Sequence, residues 1–397
     1  MLHCDSDFAR ASRRYFHQYP ELSMQEHETA KYIREKLTEF GIEYRTVGET
    51  GTYGWIRGRS DNGRKILLRA DIDALPLEEQ TDLPYKSVNP GVMHACGHDI
   101  HAAALLAAAK KLAEVREEFS GTVLLAFQQA EEKGHGARYF QELGLTRGYD
   151  RAFGVHIAPD VPVGTVVLSR KEDAASCDFF RLTIKGRKAH TSKPHLGNDA
   201  LQAGATLVGE IAKLPGRLLP PAEPINIGIG TFKAGTSYNI VADSAVIEGS
   251  IRTFSEDSRS RLKEKIGELA DSVELIYGVQ VLCEYECFAK ALINDETARQ
   301  EVARVAASLL GEDKVQLSGQ PVFGFAGDDF SEFLQESQGA YAHVGVWQEG
   351  SDSARVLHNE KLAPSEEAVD IAADLHINYA LAFLRDSGHW GEQNIIK

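Results

Sequence analysis

The 397-residue chain has no long apolar run. Its longest block of small and aliphatic residues, Ala102 to Ala109, is far short of the roughly 20 residues a membrane-spanning helix requires. A transmembrane segment is not expected. The N-terminus, Met1-Leu-His-Cys-Asp-Ser-Asp, turns acidic at once, without the basic stretch and apolar stretch of a secretory signal, so the expected location is the cytoplasm. Cysteine is scarce and odd in number: Cys4, Cys96, Cys177, Cys283 and Cys287 show no framework spacing. That excludes a disulfide scaffold and fits free thiols in a reducing compartment. Positive charge is in deficit, with 43 Lys and Arg against 58 Asp and Glu and a net charge of −15. Such a surface repels nucleic-acid phosphates and anionic membranes, and neither partner is expected. Internal repeats and low-complexity tracts are also missing. What remains, 43% hydrophobic and 25% charged residues, is the composition of an ordinary globular protein, long enough for roughly two or three domains.

Residues Phe8 to Phe40 read as a helical pair broken at Pro20. Ser23 is expected to open the second helix, Ala30, Ile33 and Leu37 recur at helical spacing, and Gly41 supplies a stop. Four aliphatic runs follow: Lys65 to Asp71, Thr122 to Gln128, Arg151 to His156 and Ala340 to Trp347. Runs of this kind suit strands buried on both faces by helices in an α/β sheet, and the helical stretches His101 to Phe119 and Gly136 to Leu143 lie between them. The middle of the chain differs. Asp178 to Lys185 and Ala245 to Arg252 alternate in polarity, as strands with one solvated face do, and helical periods at Ala200 to Leu214 and Glu256 to Tyr277 separate such strands. The pattern predicts an α+β module inserted into the first domain, with the chain returning near Ala291. The tail after Ser387 is expected to fray.

The densest chemical feature is Met93-His94-Ala-Cys96-Gly-His98-Asp99-Ile-His101. Thiolate and imidazole are first-choice ligands for zinc-like divalent ions, and Cys-x-His lets both reach one centre from a tight loop that Gly97 permits. Asp99 is expected to cap a helix beginning near Ile100. His94 and His101 are not counted among the ligands. A second feature, Gln128-Gln-Ala-Glu131-Glu132-Lys-Gly, directly follows a strand. In extended chain, neighbouring side chains point to opposite sides, so one Glu can ligate a metal while the other faces the attacking water. That division suits metal-assisted hydrolysis, in which an ion lowers the pKa of water to about 7 and a carboxylate takes and later returns the proton. His156, expected to close its strand, and His358, after the late strand, add two imidazoles. Asp71, Glu131, Glu132 and His156 all stand at predicted carboxyl ends of strands, where open α/β sheets gather their ligands. More than four candidate ligands suffice for two ions.

These residues resemble the aminoacylase and carboxypeptidase-G-like metallopeptidases, in particular the N-acyl-amino-acid amidohydrolase branch with hippurate hydrolases and auxin-conjugate hydrolases. The matching segments are Arg13 to Ser23, Arg69 to Pro76, His94 to His101, Ala130 to Glu132, Gly154 to His156, His190 with Pro194 to Gly197, Tyr238 to Asp243, Arg252 to Phe254 and Gly327 to Phe330. They run in family order through nearly the whole chain. The resemblance implies a zinc-peptidase-like α/β catalytic domain with a mixed central sheet, residues 1–175 and 290–397. It also implies an inserted ferredoxin-like α+β lid and dimerisation domain, residues 176–289. It implies two divalent metal ions on Cys96, His98, Glu132, His156 and His358, with the Cys96 thiolate shared, and Glu131 as general base and acid. By the same resemblance His190 reaches a neighbouring active site to polarise the scissile carbonyl, and Asn239 and Arg252 hold the substrate carboxylate. A homodimer through the lid follows. The chain departs from the family pattern at Gln129, where Pro is common, at Lys188 and Thr191 around His190, and at Asp328, a place often held by Glu. No ligand position is lost; the Lys188 and Thr191 changes bear on substrate contacts.

The activity so implied is metal-dependent hydrolysis of the amide bond of N-acyl-L-amino acids, releasing a free amino acid and a carboxylic acid. Mixed sulfur, nitrogen and oxygen ligands accept zinc, manganese, cobalt or nickel. The runner-up is a dipeptidase or aminoacyl peptidase on the same scaffold. A catalytically idle metal-binding protein is opposed by Glu131, because a binder needs no base. A purely structural α/β protein would bury the same His and Cys without a metal.

Overall fold

The computed structural model describes residues 1–385; the expected fraying after Ser387 lies outside them. In chain order the first elements are α1 (Ser6–Gln18), α2 (His27–Glu39), β1 (Glu43–Val47), β2 (Gly51–Arg57), β3 (Lys65–Asp71), α3 (His98–Glu114), β4 (Thr122–Gln128), α4 (Gly136–Glu142), β5 (Arg151–Pro162), β6 (Val166–Ser169) and β7 (Glu172–Ala174). There follow β8 (Ser176–Lys185), α5 (Ala200–Ile211), α6 (Pro215–Leu218), β9 (Ile225–Ala234), β10 (Ser244–Thr253), α7 (Glu256–Tyr277) and β11 (Gln280–Ala289). The chain ends with β12 (Leu292–Ile293), α8 (Glu296–Leu310), β13 (Val315–Ser318), β14 (Gln338–Trp347) and α9 (Glu367–Arg385). Two compact units result: Met1–Asp173 with Ile293–Val322 and the chain from Asp329 on, and Ala174–Leu292 with Phe323–Asp328. Among the described residues no helix is long and apolar enough to cross a membrane.

The first unit is built on an eight-stranded mixed sheet of order β1-β2-β4-β3-β5-β14-β6-β13. Its centre, β4, β3, β5 and β14, is parallel, and these strands are the aliphatic runs of the sequence. Apolar side chains fit there because helices cover the strands; α3, α8 and α9 pack on the sheet, and α1 packs on α3 and α9. The alanine block predicted to be too short for a membrane forms the middle of α3, fully buried. Its small side chains let α3 lie directly against α9. Two local expectations are corrected. Ser23 does not open α2, which starts at His27 after Glu26; its hydroxyl instead donates to Asp73 at 2.6 Å. Asp99 is not a cap: α3 starts at His98 with Gly97 before it and no side-chain cap. The Asp99 carboxylate turns inward to the Arg13 guanidinium (2.9 Å) and His17 (2.9 Å), since a buried charge must be paired and hydrogen-bonded.

The second unit is a four-stranded antiparallel sheet of order β11-β8-β10-β9. In chain order its elements run β-α-β-β-α-β, the split ferredoxin-like arrangement. Alternation explains it: Phe180, Leu182 and Ile184 of β8 and Ile247 and Ile251 of β10 point to one face, where they form a separate core with Leu207 of α5 and Leu262 and Ile266 of α7. Asp199 and Ser255 cap α5 and α7 with their side-chain oxygens.

Buried titratable groups make the first unit sensitive to acid. His376 of α9 is buried against Phe153, and burial, with a smaller contribution from His101, pushes its pKa down from 6.5 to about 3. The native imidazole is neutral, so its stabilising contribution is complete above the unfolded value and is lost as pH falls from 6.5 toward 3. Denaturant unfolding at about pH 7.5 and about pH 5 should show the wild type losing about 2 kcal/mol more than His376→Phe over that interval. Equal losses would contradict this account.

Candidate metal centre

The centre is assembled at the ends of β3 and β4 and the start of α3. Between Cys96 and His98 the chain turns through Gly97, whose φ is +85°. A Cβ there would lie 2.4 Å from the Ile157 side chain, so both the turn and the packing demand glycine. After β4, Ala130 takes a left-handed conformation (φ +51°) held by its N–H donating to Glu26 at 2.9 Å. Glu131 and Glu132 then lie in a 3₁₀ turn, Glu131–Lys133. This corrects the extended chain expected for them; the turn brings both carboxylates to one donor cluster. His358 is also left-handed (φ +57°), and its N–H donates to Ala95 O at 2.8 Å. Among the described residues, two of the three non-glycine positions with positive φ thus flank this one place, a pattern of local strain typical of functional sites. His156 does not close β5, which runs on to Pro162. The pairing of β5 with β3 stops at Arg69↔Gly154, and β14 alone guides β5 past His156.

Six predicted side chains converge. Ligand atoms of Cys96, His98 and His156 lie within 4.8 Å of one another, as do those of Cys96, Glu132 and His358, and those of His98, Glu131 and Glu132. Cys96 Sγ is 3.5 Å from His156 Nε2, and His358 Nε2 is 3.4 Å from Glu132 Oε1. The thiol is common to two donor sets, one of imidazoles and one of carboxylate and imidazole. His98 Nδ1 faces Asp73 O at 2.9 Å, which directs its Nε2 into the cluster. His98 Nε2 and Glu132 Oε1 are buried without a hydrogen-bond partner. Each such orphan costs about 1–3 kcal/mol, a cost that coordination to a cation would remove. Charge argues the same way. Against the cost of its burial, the carboxylates of Asp71, Asp73 and Glu132 push His98 up to about 10, so the cluster holds surplus negative charge. Burial pushes His156 well below its usual value, leaving a neutral ring able to ligate. Soft sulfur, imidazole and carboxylate around an unmet buried nitrogen and oxygen fit a pair of divalent ions.

The remaining predicted residues lie in the second unit. His190 and Asn239 are neighbours: His190 bridges Ile240, and Thr191 N–H donates to Asn239 O at 3.0 Å. His190 is exposed, and Ser192 N–H donates to its Nδ1 at 3.1 Å, which places the ring proton on Nε2. Arg252 is not with them. It lies at the far end of β10, where its guanidinium donates to Phe325 O at 2.6 Å.

Several residues beneath the centre carry no role in the sequence reading. Asp73, fully buried, accepts from Glu131 N–H and Glu132 N–H, each at 3.1 Å, as well as from Ser23. Arg69 donates to Asp71 (2.5 Å), Gln128 (2.9 Å) and Asp329 (3.0 Å). The available signal was the spacing Arg69-x-Asp71-x-Asp73, charge at period two ending an apolar strand, where one face of the sheet must be polar.

Comparison with known proteins places the chain among related sequences and structures. Residues 67–382 match the profile of Peptidase family M20/M25/M40. The chain is 38% identical to an N-acetyl-L-cysteine deacetylase of Bacillus subtilis over 84% of this chain and 79% of that one. It is 34% identical to a hippurate hydrolase of Campylobacter jejuni over 94% and 96% of the two chains. Among solved structures, a dinuclear metal-binding peptidase of the M20 family from Bacillus subtilis superposes with a TM-score of 0.81 at 34% identity, covering 96% of this chain and 98% of that one.

The Asp73 carboxylate generates a test. Asp73→Ala would leave two buried backbone N–H groups without their acceptor, and denaturant unfolding should show a loss of about 2–5 kcal/mol; a loss under 1 kcal/mol would mean that the Glu131–Glu132 turn is held by other contacts.

Proposed function

The chain belongs to Peptidase family M20/M25/M40, and from that premise we propose that this metal-dependent amidohydrolase cleaves N-acyl-L-amino acids to a free amino acid and a carboxylic acid. The observation that carries the reading is the Cys96 thiol, common to two donor sets beside Glu131. Cys96, His98, Glu132, His156 and His358 would hold two divalent ions, zinc, manganese, cobalt or nickel. Such ions, when bound, lower the pKa of water and polarise a carbonyl. Glu131, 5% exposed with its backbone fixed by Asp73, is the general base that takes the proton of the attacking water. It returns that proton to the departing amine. His190, with its proton on Nε2, donates to the carbonyl oxygen as charge develops there. Asn239 and Arg252 receive the substrate carboxylate. The chain works in the cytoplasm, where its five cysteines stay free thiols.

The second unit supports a homodimer. His190 bridges Ile240, four residues before β10, and Arg252 is eight residues past the Ser244 start of that strand, about 26 Å at ~3.3 Å per residue. That span exceeds one small substrate, which supports a site completed by a second copy. Near His190, Tyr238 is 96% exposed and Leu196 is 54% exposed, apolar surface of the kind a subunit contact covers. Sedimentation equilibrium should give twice the chain mass, with Tyr238→Asp shifting the equilibrium to monomer. A wild-type monomer that turns over at full rate contradicts the dimer.

The function is tested by incubating the protein and divalent ions with N-acetyl and N-benzoyl amino acids and, in parallel, dipeptides, and measuring amine release. Acylated amino acids should be cleaved and dipeptides spared; the reverse would select the dipeptidase reading. Glu131→Gln should lower kcat on the order of 10²–10⁴-fold with metal content retained, whereas His98→Ala and Glu132→Ala should lose metal. Retained turnover in Glu131→Gln would refute its assignment.

A further inference from the structure

We infer that Asp71 and His101, outside the ligand set, are positioning residues that fix the His156 ring through the Ile157 backbone. The inference rests on the reading of His156 as a ligand. Strand β3 ends at Asp71, and its pairing with β5 has already stopped at Arg69↔Gly154. From there on, the edge of β5 that faced β3 needs another partner. His101, in the first turn of α3, supplies it: Ile157 N–H donates to His101 Nε2 at 3.0 Å. A backbone N–H can only donate, so Nε2 holds the lone pair and the ring proton sits on Nδ1. That nitrogen lies 2.6 Å from Asp71 Oδ1, which accepts the proton's hydrogen bond. The other Asp71 oxygen is engaged by Arg69 at 2.5 Å, so the carboxylate itself is fixed.

The next link runs out of Ile157. Its carbonyl can only accept, and it faces His156 Nδ1 at 2.8 Å. The His156 proton is therefore on Nδ1, and the lone pair falls on Nε2, the atom 3.5 Å from Cys96 Sγ. Asp71, His101, Ile157 and His156 are all buried. Each proton position in the series is set by its neighbour, and the series delivers a lone pair to the donor cluster. Orientation of ligating imidazoles by hydrogen-bonded partners of this kind is worth roughly 10–100-fold in metal affinity.

The test compares wild type with His101→Phe, His101→Gln and Asp71→Asn. In metal-free protein labelled with ¹⁵N-histidine, His156 should appear as the Nδ1–H tautomer, and the Ile157 amide should be protected from hydrogen exchange. His101→Phe should mix the tautomers, speed Ile157 exchange at least tenfold and weaken zinc binding roughly 10–100-fold. His101→Gln offers an oxygen acceptor to Ile157 N–H and should recover protection and most of the affinity. Should His101→Phe fail to fold, Asp71→Asn serves: it keeps an acceptor without charge, and should hold the tautomer while weakening zinc binding several-fold. An unchanged His156 tautomer and zinc affinity within twofold of wild type in His101→Phe, or in Asp71→Asn an affinity equal to wild type, would overturn the inference. Wild-type protein that binds no zinc at all would instead defeat the ligand assignment, while the tautomer and exchange readings would still decide whether the series exists.

Discussion

Apolar strand β3 ends in the charged run Arg69-Ala-Asp71-Ile-Asp73, and the centre depends on how those charges are neutralised below the surface. Burying a carboxylate is costly unless it is paired or hydrogen-bonded. Asp71 meets Arg69 and His101, while Asp73 meets two backbone N–H groups and a hydroxyl. In satisfying Asp73, the chain between β4 and α4 is drawn into a tight turn, and that turn brings Glu131 and Glu132 to the donor cluster. In satisfying Asp71, the first turn of α3 is tied to β5. Two carboxylates at the end of one strand thus orient three separate segments.

The same cluster has more negative charge than its arginine can balance. His98 answers part of it, being drawn to a high pKa by three carboxylates against its burial. With His98 as the ligand proposed above, a proton and a divalent ion would compete for one place there, because protonated His98 has no lone pair on Nε2. Metal occupancy and proton release would then be linked, as in other metal sites whose ligands must be deprotonated.

Much of this was legible in the sequence, for physical reasons. The four aliphatic runs became the central strands because continuous apolar side chains have no other stable place than a sheet covered on both faces. The Cys96-Gly97-His98 cluster was legible because a donor pair across a glycine has few structural uses. Asp99 misled: an acidic residue at a helix start resembles a cap, and only the distant Arg13 and His17 reveal its buried pairing. The Glu131–Glu132 turn could not be read locally, because its cause is Asp73, 58 residues earlier in the case of Glu131. His101 stayed unassigned for a similar reason; its partners, Asp71 and Ile157, come from two other strands.

Gly97 carries a last consequence. Its left-handed backbone and the Ile157 side chain pressed against it exclude any larger residue, so the interval between positions 96 and 98 is mechanically rigid. A lineage of such enzymes could not easily tune its ion by stretching or bending this corner. With Cys96 as the ligand proposed above, it could do so by exchanging the atom offered at position 96, sulfur for oxygen or nitrogen, on an unmoved frame. Preference among elements would then be a one-codon property, separable from the catalytic geometry around it.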